Sequence, residues 1–331
     1  MNSQPQPAAN DIAQRQLDPV QIDRLCAQRW LYLRSKRIVL VQFVIAALVP
    51  AVLVVPLEHP EIPSYSGAVL MAMVCLLVEM GLEYWRECLR ERAALIQEAF
   101  DCDVLGLPWN DVQAGSERPD PEDVSAQAAK LRAVAQTPRR RKLLNGIESG
   151  WYEGIKDIPL MEMARLECQW QNCQWDRRQR IWGMALLGGL ALFPGILIVV
   201  AALIKDTNLT TPIHEPGSLA RMLLVLGFPA IWALRDCYRQ IKTIQLLKRI
   251  NKAVDESWAS IIAGAHTPDE TKHRARQIQD LIFQHRSSSP EVWDWLYNLL
   301  RLPQGKIAQS QAERHAQQAK SGLNHHRHDA A

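Results

Sequence analysis

Two charge-free runs dominate the pattern of apolar and polar positions. Residues 38–57 read IVLVQFVIAALVPAVLVVPL, with Gln42 the only strongly polar side chain, and residues 181–204 read IWGMALLGGLALFPGILIVVAALI. A helix of about 20 residues is about 30 Å long, the thickness of a bilayer core, so both runs predict transmembrane helices. A weaker run follows each. Residues 67–85 begin GAVLMAMVCLLVEMGL and carry Glu79, whereas residues 219–236 begin LARMLLVLGFPAIWAL and are free of charge only from Met222 to Leu234. The last stretch is short enough for a re-entrant or buried helix. Arg221 and Arg235 bracket it, however, and can reach the two interfaces, which favours a span.

Outside these runs the apolar residues recur every three or four positions. Leu82, Trp85, Leu89, Leu95, Ile96 and Ala99 carry the second span onward as a helix that stops near 101–108, where Gly106 and Pro108 intervene. Met163, Leu166, Trp170 and Cys173 lead a helix into the third span, and Ile241 through Ile261 continue the fourth. Thr267-Pro268-Asp269-Glu270 is a capping-box pattern with proline at the first helical position, opening a helix to about Arg286. Ser289-Pro290 starts another over 293–302, followed by a polar tail. Residues 113–123 (QAGSERPDPED) read as a linker, and no strand pattern competes. The expectation is an all-α integral membrane protein. It divides into a segment 1–37, a hairpin 38–85, a helical region 86–180, a second hairpin 181–236 and a helical region 237–331.

Charge gives the orientation. The link 58–66 has no Lys or Arg and 205–218 has one Lys, while basic residues crowd the other ends: Arg34, Lys36 and Arg37, Arg86 and Arg90, Arg177, Arg178 and Arg180, Arg235 and Arg239. The positive-inside bias places both termini and the middle region in the cytoplasm. Mean hydropathy of −0.15 then averages two unlike populations, and 11 Trp against 5 Phe find a place at membrane ends, as at Trp30, Trp85, Trp182 and Trp232. None of the seven cysteines falls in an outer link, which suggests reduced thiols. A formal charge of +3 gives no reason to expect a nucleic-acid polymer as partner.

Candidate chemistry is sparse. No phosphate loop, dinucleotide fingerprint or hydrolase elbow is present, so no cofactor or catalytic residue is expected. Asp101 and Asp103 have the spacing of a metal-binding acidic pair, against the plainer reading of acidic residues ending a helix. Arg139, Arg140, Arg141 and Lys142, followed by Trp151 and Tyr152, could hold a nucleotide by phosphate contact and base stacking. The same run could equally face solvent or lipid headgroups. Glu79 sits inside a span, where a carboxylate needs a partner or water; one turn from Glu83, it could reach the interface. Gly188, Gly189, Pro194 and Gly195, with Pro229 in the fourth span, permit close helix packing or a bend that moves during gating.

Several stretches together resemble the SMODS-associated four-transmembrane effector family of bacterial conflict systems. They are Gln28-Arg29 with Tyr32 and Lys36; Ile96-Gln97-Glu98-Ala99-Phe100-Asp101 with Leu105-Gly106-Leu107-Pro108-Trp109; and Trp151-Tyr152. Gln169, Asn172, Trp175, Asp176 and Arg180 continue the pattern, and Gln277-Ile278-Gln279-Asp280-Leu281-Ile282-Phe283, Arg286 and Pro290 complete it with 295–297. Trp170 stands where a basic residue belongs in the pattern. The resemblance implies a non-enzymatic, pore-forming effector of antiviral signalling. A neighbouring nucleotidyltransferase would supply a cyclic-oligonucleotide messenger, and several copies would assemble in the bilayer and permeabilise it. The resemblance assigns no role to Gln97, Glu98, Phe100, Asp101, Trp109, Gln279 or Asp280. The competing readings are a membrane adaptor that recruits a cytoplasmic partner and a metal-dependent enzyme using Asp101 and Asp103.

Overall fold

A computed structural model describes residues 10–58, 65–138, 140–144, 146–203, 216–292, 310, 313–315 and 317. The described chain is helical, with no strand among the described residues. In order, the helices are α1 (Ile12–Arg15), α2 (Pro19–Glu58), α3 (Tyr65–Leu105), α4 (Asp111–Ala114), α5 (Pro121–Ala135), α6 (Met161–Leu203), α7 (Pro216–Ile262) and α8 (Pro268–Ser288). Four of them are about 40 residues or longer, so each apolar run and the amphipathic stretch beside it form one unbroken helix. The helix expected over 293–302 lies outside the described residues.

Local signals set the ends. Asn110 and Asp120 cap α4 and α5 by accepting the backbone N–H of Val112 and Glu122. Thr267 and Glu270 form the reciprocal capping box, the Glu270 amide bonding Thr267 Oγ1 at 3.3 Å and the Thr267 amide bonding Glu270 Oε2 at 2.8 Å. α3 ends on Gly106 at φ 61°, which lets the Leu107 amide reach back to the Cys102 carbonyl at 2.8 Å. A side chain there would be strained and would also press on Arg15 Nη1 at 3.0 Å.

Packing follows sequence order. α2 lies along α3 and α6 along α7; α5 covers α2, and α8 packs on α3, α6 and α7. One apolar core joins them, with Leu25, Leu31, Ile96, Phe100, Leu131, Met163, Leu166, Leu247 and Ile282 all essentially inaccessible. The core occupies the end of the helices farthest from the apolar runs. Toward those runs the surface changes: Leu70, Leu76, Leu77 and Met80 of α3 are each more than 60% exposed. Tyr84, Trp85, Trp182 and Tyr238 are exposed at the boundary, and the Arg34 guanidinium lies over the Trp85 ring at 5.6 Å. Among the described residues no helix is long and apolar enough to cross a membrane. Within 38–57 and 181–204 many side chains fall outside the description, as do nearly all of those in 216–229.

Candidate functional site, a buried polar seam beneath helix α8

α8 has an apolar stripe, Ala275, Ile278, Ile282 and Phe283, that docks it on the core. Its neighbouring positions are not apolar. Arg276, Gln279, His285 and Arg286 are turned inward, toward acidic residues of α3 and α6, and together they make a continuous polar seam.

At the deep end, Glu98 and Asp101 lie one turn apart on α3, both essentially buried. Glu98 Oε1 accepts from Arg276 Nη2 at 2.6 Å, and its Oε2 accepts from Gln279 Nε2 at 2.9 Å. The same Gln279 amide donates to Asp101 Oδ2 at 2.8 Å. Asp101 also pairs with Arg286 and accepts from the Tyr152 hydroxyl at 2.6 Å. Two carboxylates thus meet two guanidinium groups with their lone pairs used, the condition under which buried charge is tolerated. Burial, with Asp101 beside it, drives the Tyr152 hydroxyl far above its ordinary pKa, so it stays a donor. Asn172 donates to the Tyr152 oxygen at 2.9 Å, and Gln169 bonds Gln279 Oε1 at 3.2 Å and the Ala275 carbonyl at 2.7 Å. Arg276 further spans Asp280 (2.8 Å) and the Pro108 carbonyl (2.9 Å), fixing the loop after α3.

One and a half turns along α6, Asp176 receives Arg180 Nε at 2.8 Å and His285 Nε2 at 2.5 Å. Burial alone would raise Asp176, but the Arg180 guanidinium and His285 outweigh it and hold the carboxyl below its ordinary range. Burial lowers His285, so the neutral imidazole donates from Nε2 and accepts the Ser289 hydroxyl at Nδ1, 2.7 Å away. A hydroxyl, an imidazole and a carboxylate in line are the parts of a nucleophile relay. Ser289, however, is buried against Thr243 Oγ1 at 3.4 Å, out of reach of a substrate, so the relay acts as a fastening. Arg180 closes this level by donating to Gln240 Oε1 and the Pro290 carbonyl, both at 2.7 Å.

The third level reaches the apolar runs. Glu291, just beyond α8, accepts from Ser35 and lies 3.7 and 3.8 Å from Arg86 and Arg90. Arg86 pairs with Glu83 at 2.6 Å and donates to Gln42 Oε1 at 3.1 Å; Gln42 Nε2 in turn donates to Glu79 and Glu83, both at 3.0 Å. Glu79 therefore finds its partner in Gln42, the polar interruption of the first run.

The residues singled out in the sequence divide accordingly. Glu98, Asp101, Gln279, Asp280 and Tyr152 are brought together. Phe100 stacks on Tyr152 at a centroid distance of 6.2 Å, Gln97 is buried beside them, and Trp109 donates to the Gly115 carbonyl at 2.8 Å. Asp103 faces away and pairs with Arg24 at 2.5 Å and Arg118 at 2.8 Å. A divalent cation at Asp101 and Asp103 would have to displace guanidinium groups from both. No group that could hold a metal occurs among the described residues. Arg140, Arg141 and Lys142 are exposed, Arg139 lies outside the description, and Trp151 is half-buried against the core. Among the described residues no hydrogen bond, ion pair or ring contact joins Arg140, Arg141 or Lys142 to Trp151 or Tyr152. Gly188 and Gly189 have open space where a Cβ would stand, so no neighbour within the described chain closes on them. No side chain is described at Pro194, Gly195 or Pro229. Trp170, out of pattern in the sequence, packs edge-on to His315, whose Nδ1 lies 2.6 Å from buried Glu167.

Arg276, His285, Ser289 and Glu291 had no signature of their own. The available signal was that His285 falls on the helical stripe of Ile278 and Ile282 and Arg276 on the line of Phe283, where a merely solvated charge has no place.

The model of the SMODS-associating 4TM effector domain matches residues 10–315, a range that includes the whole seam. The chain belongs to that family. A probable CBASS effector molecule of Bacillus cereus (strain VD146) is similar over 295 residues at 22% identity, covering 86% of this chain and 92% of that relative. No solved structure matches. Family membership makes this 4TM effector part of antiphage defence, and its domain is an effector domain and not one of a known catalytic family.

Proposed function

We propose that this 4TM effector is a membrane-permeabilising effector that answers a nucleotide second messenger. The four apolar runs, 38–57, 67–85, 181–204 and 219–236, cross the inner membrane as two hairpins, and both termini and the helical body face the cytoplasm. A neighbouring nucleotidyltransferase makes the messenger, and several copies assemble to open a path through the bilayer. One chain contributes too few helices for a wide pore, so assembly is required. Glu79 and the Gly188–Gly189 and Pro194–Gly195 pairs, with Pro229, are the points where helices could line or bend around that path.

The observation that carries this reading is α8. It is fastened by buried charge to the cytoplasmic ends of α3 and α6 and packs on α7, the same helices that continue into the apolar runs. Whatever loosens α8 changes how those helices are held. Buried ion pairs suit such a device, because they add little to stability when intact yet cost heavily when broken.

The test is release of a trapped dye from liposomes carrying the purified chain, with and without cyclic oligonucleotides. Release that depends on one nucleotide is the expected result. Absence of release with every nucleotide, from correctly folded protein, would overturn the proposal. In that case recruitment of a soluble partner, lost on deleting the region after Ile261, would favour the adaptor instead.

A further inference from the structure

Away from the seam, α2, the turn that follows α5 and the chain leaving α8 enclose a cleft of about 340 Å³, at the lower end of small-molecule pockets. Its charged lining is Lys36 and Arg37 from α2 and Arg140 and Lys142 from the turn, with Glu291 behind them. Glu291 is already engaged by Ser35, Arg86 and Arg90. Among the described residues no carboxylate pairs with Arg37, Arg140 or Lys142. The remaining walls are aliphatic, among them Leu33, Leu40, Val134 and Leu143.

Two features define the ligand. Three cations without a carboxylate partner, Arg37, Arg140 and Lys142, around one opening call for a multiply charged or bidentate oxyanion, and phosphate is the group that arginine and lysine recognise in this way. The walls, however, offer no aromatic ring, hydroxyl or side-chain amide, so the cleft has no aromatic platform for a nucleobase. They offer hydrocarbon. The cleft also opens where α2 passes into its apolar run, next to exposed Leu40, Val41 and Val44. A phosphate carrying an apolar chain at a membrane boundary is an anionic phospholipid.

We propose that this cleft holds the phosphate of one anionic glycerophospholipid, with the start of an acyl chain along Leu33 and Leu40. The proposal rests on the reading that residues 38–57 enter a bilayer. It gives Arg140 and Lys142 of the basic run a role in seating the body on the membrane, distinct from messenger recognition. Because Glu291 closes the back of the cleft, an occupied cleft also braces the segment that leaves α8.

The test uses the full chain in nanodiscs of phosphatidylcholine, alone or with phosphatidylglycerol, and reads the thermal midpoint together with lipid retained in native mass spectrometry. The wild type is expected to unfold at a higher temperature with phosphatidylglycerol and to retain one copy of it. R140E/K142E, which alters only exposed side chains, should lose both effects, whereas K272E/R274E on the exposed face of α8 should keep both. Inorganic phosphate and glycerol 1-phosphate should not substitute. Equal loss in the two variants, full substitution by inorganic phosphate, or displacement of the lipid by a cyclic dinucleotide would each overturn the proposal. Failure to co-float with vesicles of any composition would break the membrane reading as well. Co-flotation with an unchanged midpoint would break the lipid site alone.

Discussion

The two halves of α3 obey opposite rules. From Leu70 to Met80 large apolar side chains face outward, with Leu77 66% exposed, and the polar Glu79 is turned to Gln42. From Arg86 to Asp101 four charged side chains, Arg86, Arg90, Glu98 and Asp101, are buried with the apolar core and matched by partners from α8 or the residues just beyond it, while Glu91 and Arg92 stay exposed. A single helix immersed in one solvent has no reason to reverse itself. Scattered exposed apolar residues are ordinary in a soluble protein, but a contiguous band marks a surface made for contact with something apolar. The proposed membrane reading accounts for the reversal, with hydrocarbon around one half and water around the other. The seam beneath α8 is the more expensive feature of the watery half.

The sharpest way to break the comparison is to unbalance the seam. Asp101→Ala leaves Arg286 buried without its carboxylate and strips the Tyr152 hydroxyl of its acceptor, a loss of about 3–5 kcal/mol. That is a large share of the stability of a typical domain. Hydrogen exchange should show α8 opening from Gln277 to Ser288 while α5 stays protected. Replacing both partners, as in Asp101→Asn with Arg286→Met, should cost much less than the two single changes added. Additive losses would show that the two side chains act separately and that the seam is not one unit.

The other half is tested by the reverse substitution. Leu76→Arg puts a charge on the outward face of α3, where Leu76 is 61% exposed. If that face meets hydrocarbon, the change costs about 2.5–3.5 kcal/mol of membrane insertion, and the variant should be depleted from the membrane fraction. If it meets water, the effect should fall within about 0.5 kcal/mol. An unchanged membrane fraction and midpoint would erase the distinction between the halves.

How much of this could be read from the sequence follows the same division. The start of α8 was legible in Thr267-Pro268-Asp269-Glu270 and the end of α3 in Gly106 and Pro108, because caps depend on residues a few positions apart. The four long helices were legible from period and run length. The seam was not, because Glu98 and Arg276 are 178 residues apart and nothing in their spacing says which carboxylate meets which arginine. Gln42 and Glu79 each stood out as a polar interruption. That one answers the other depends on the register of α2 against α3, which spacing along one chain does not contain. Tyr152 is a case where the neighbours in sequence and the neighbours in space differ. Beside a basic run it suggested a stacking platform, yet its hydroxyl is committed to Asp101 and Asn172 in the core.

The smallest effect separates the seam's histidine from its permanent charges. Burial lowers the folded-state pKa of His285 below the ordinary 6.5 even though Asp176 opposes the shift, while Arg180 and Arg286 reinforce it. The folded state therefore disfavours the proton that the unfolded chain accepts. Stability from this group is complete above about 6.5 and is lost as pH falls from there toward the folded value. Asp176, held low, contributes in the same direction but only below its ordinary 3.8, outside that window. Between pH 7.5 and 5.5 one proton is at stake, so the slope cannot exceed about 1.4 kcal/mol per pH unit. The thermal midpoint of the wild type should decline over that range. His285→Gln, which can still donate to Asp176 but cannot be protonated, should flatten the decline. An equal slope in the two proteins would show that folding leaves the proton affinity of His285 unchanged, and a wild-type midpoint that rises relative to His285→Gln as pH falls would show that His285 is charged in the fold and paired with Asp176 as an ion. The second level of the seam would then be an ion pair like the first.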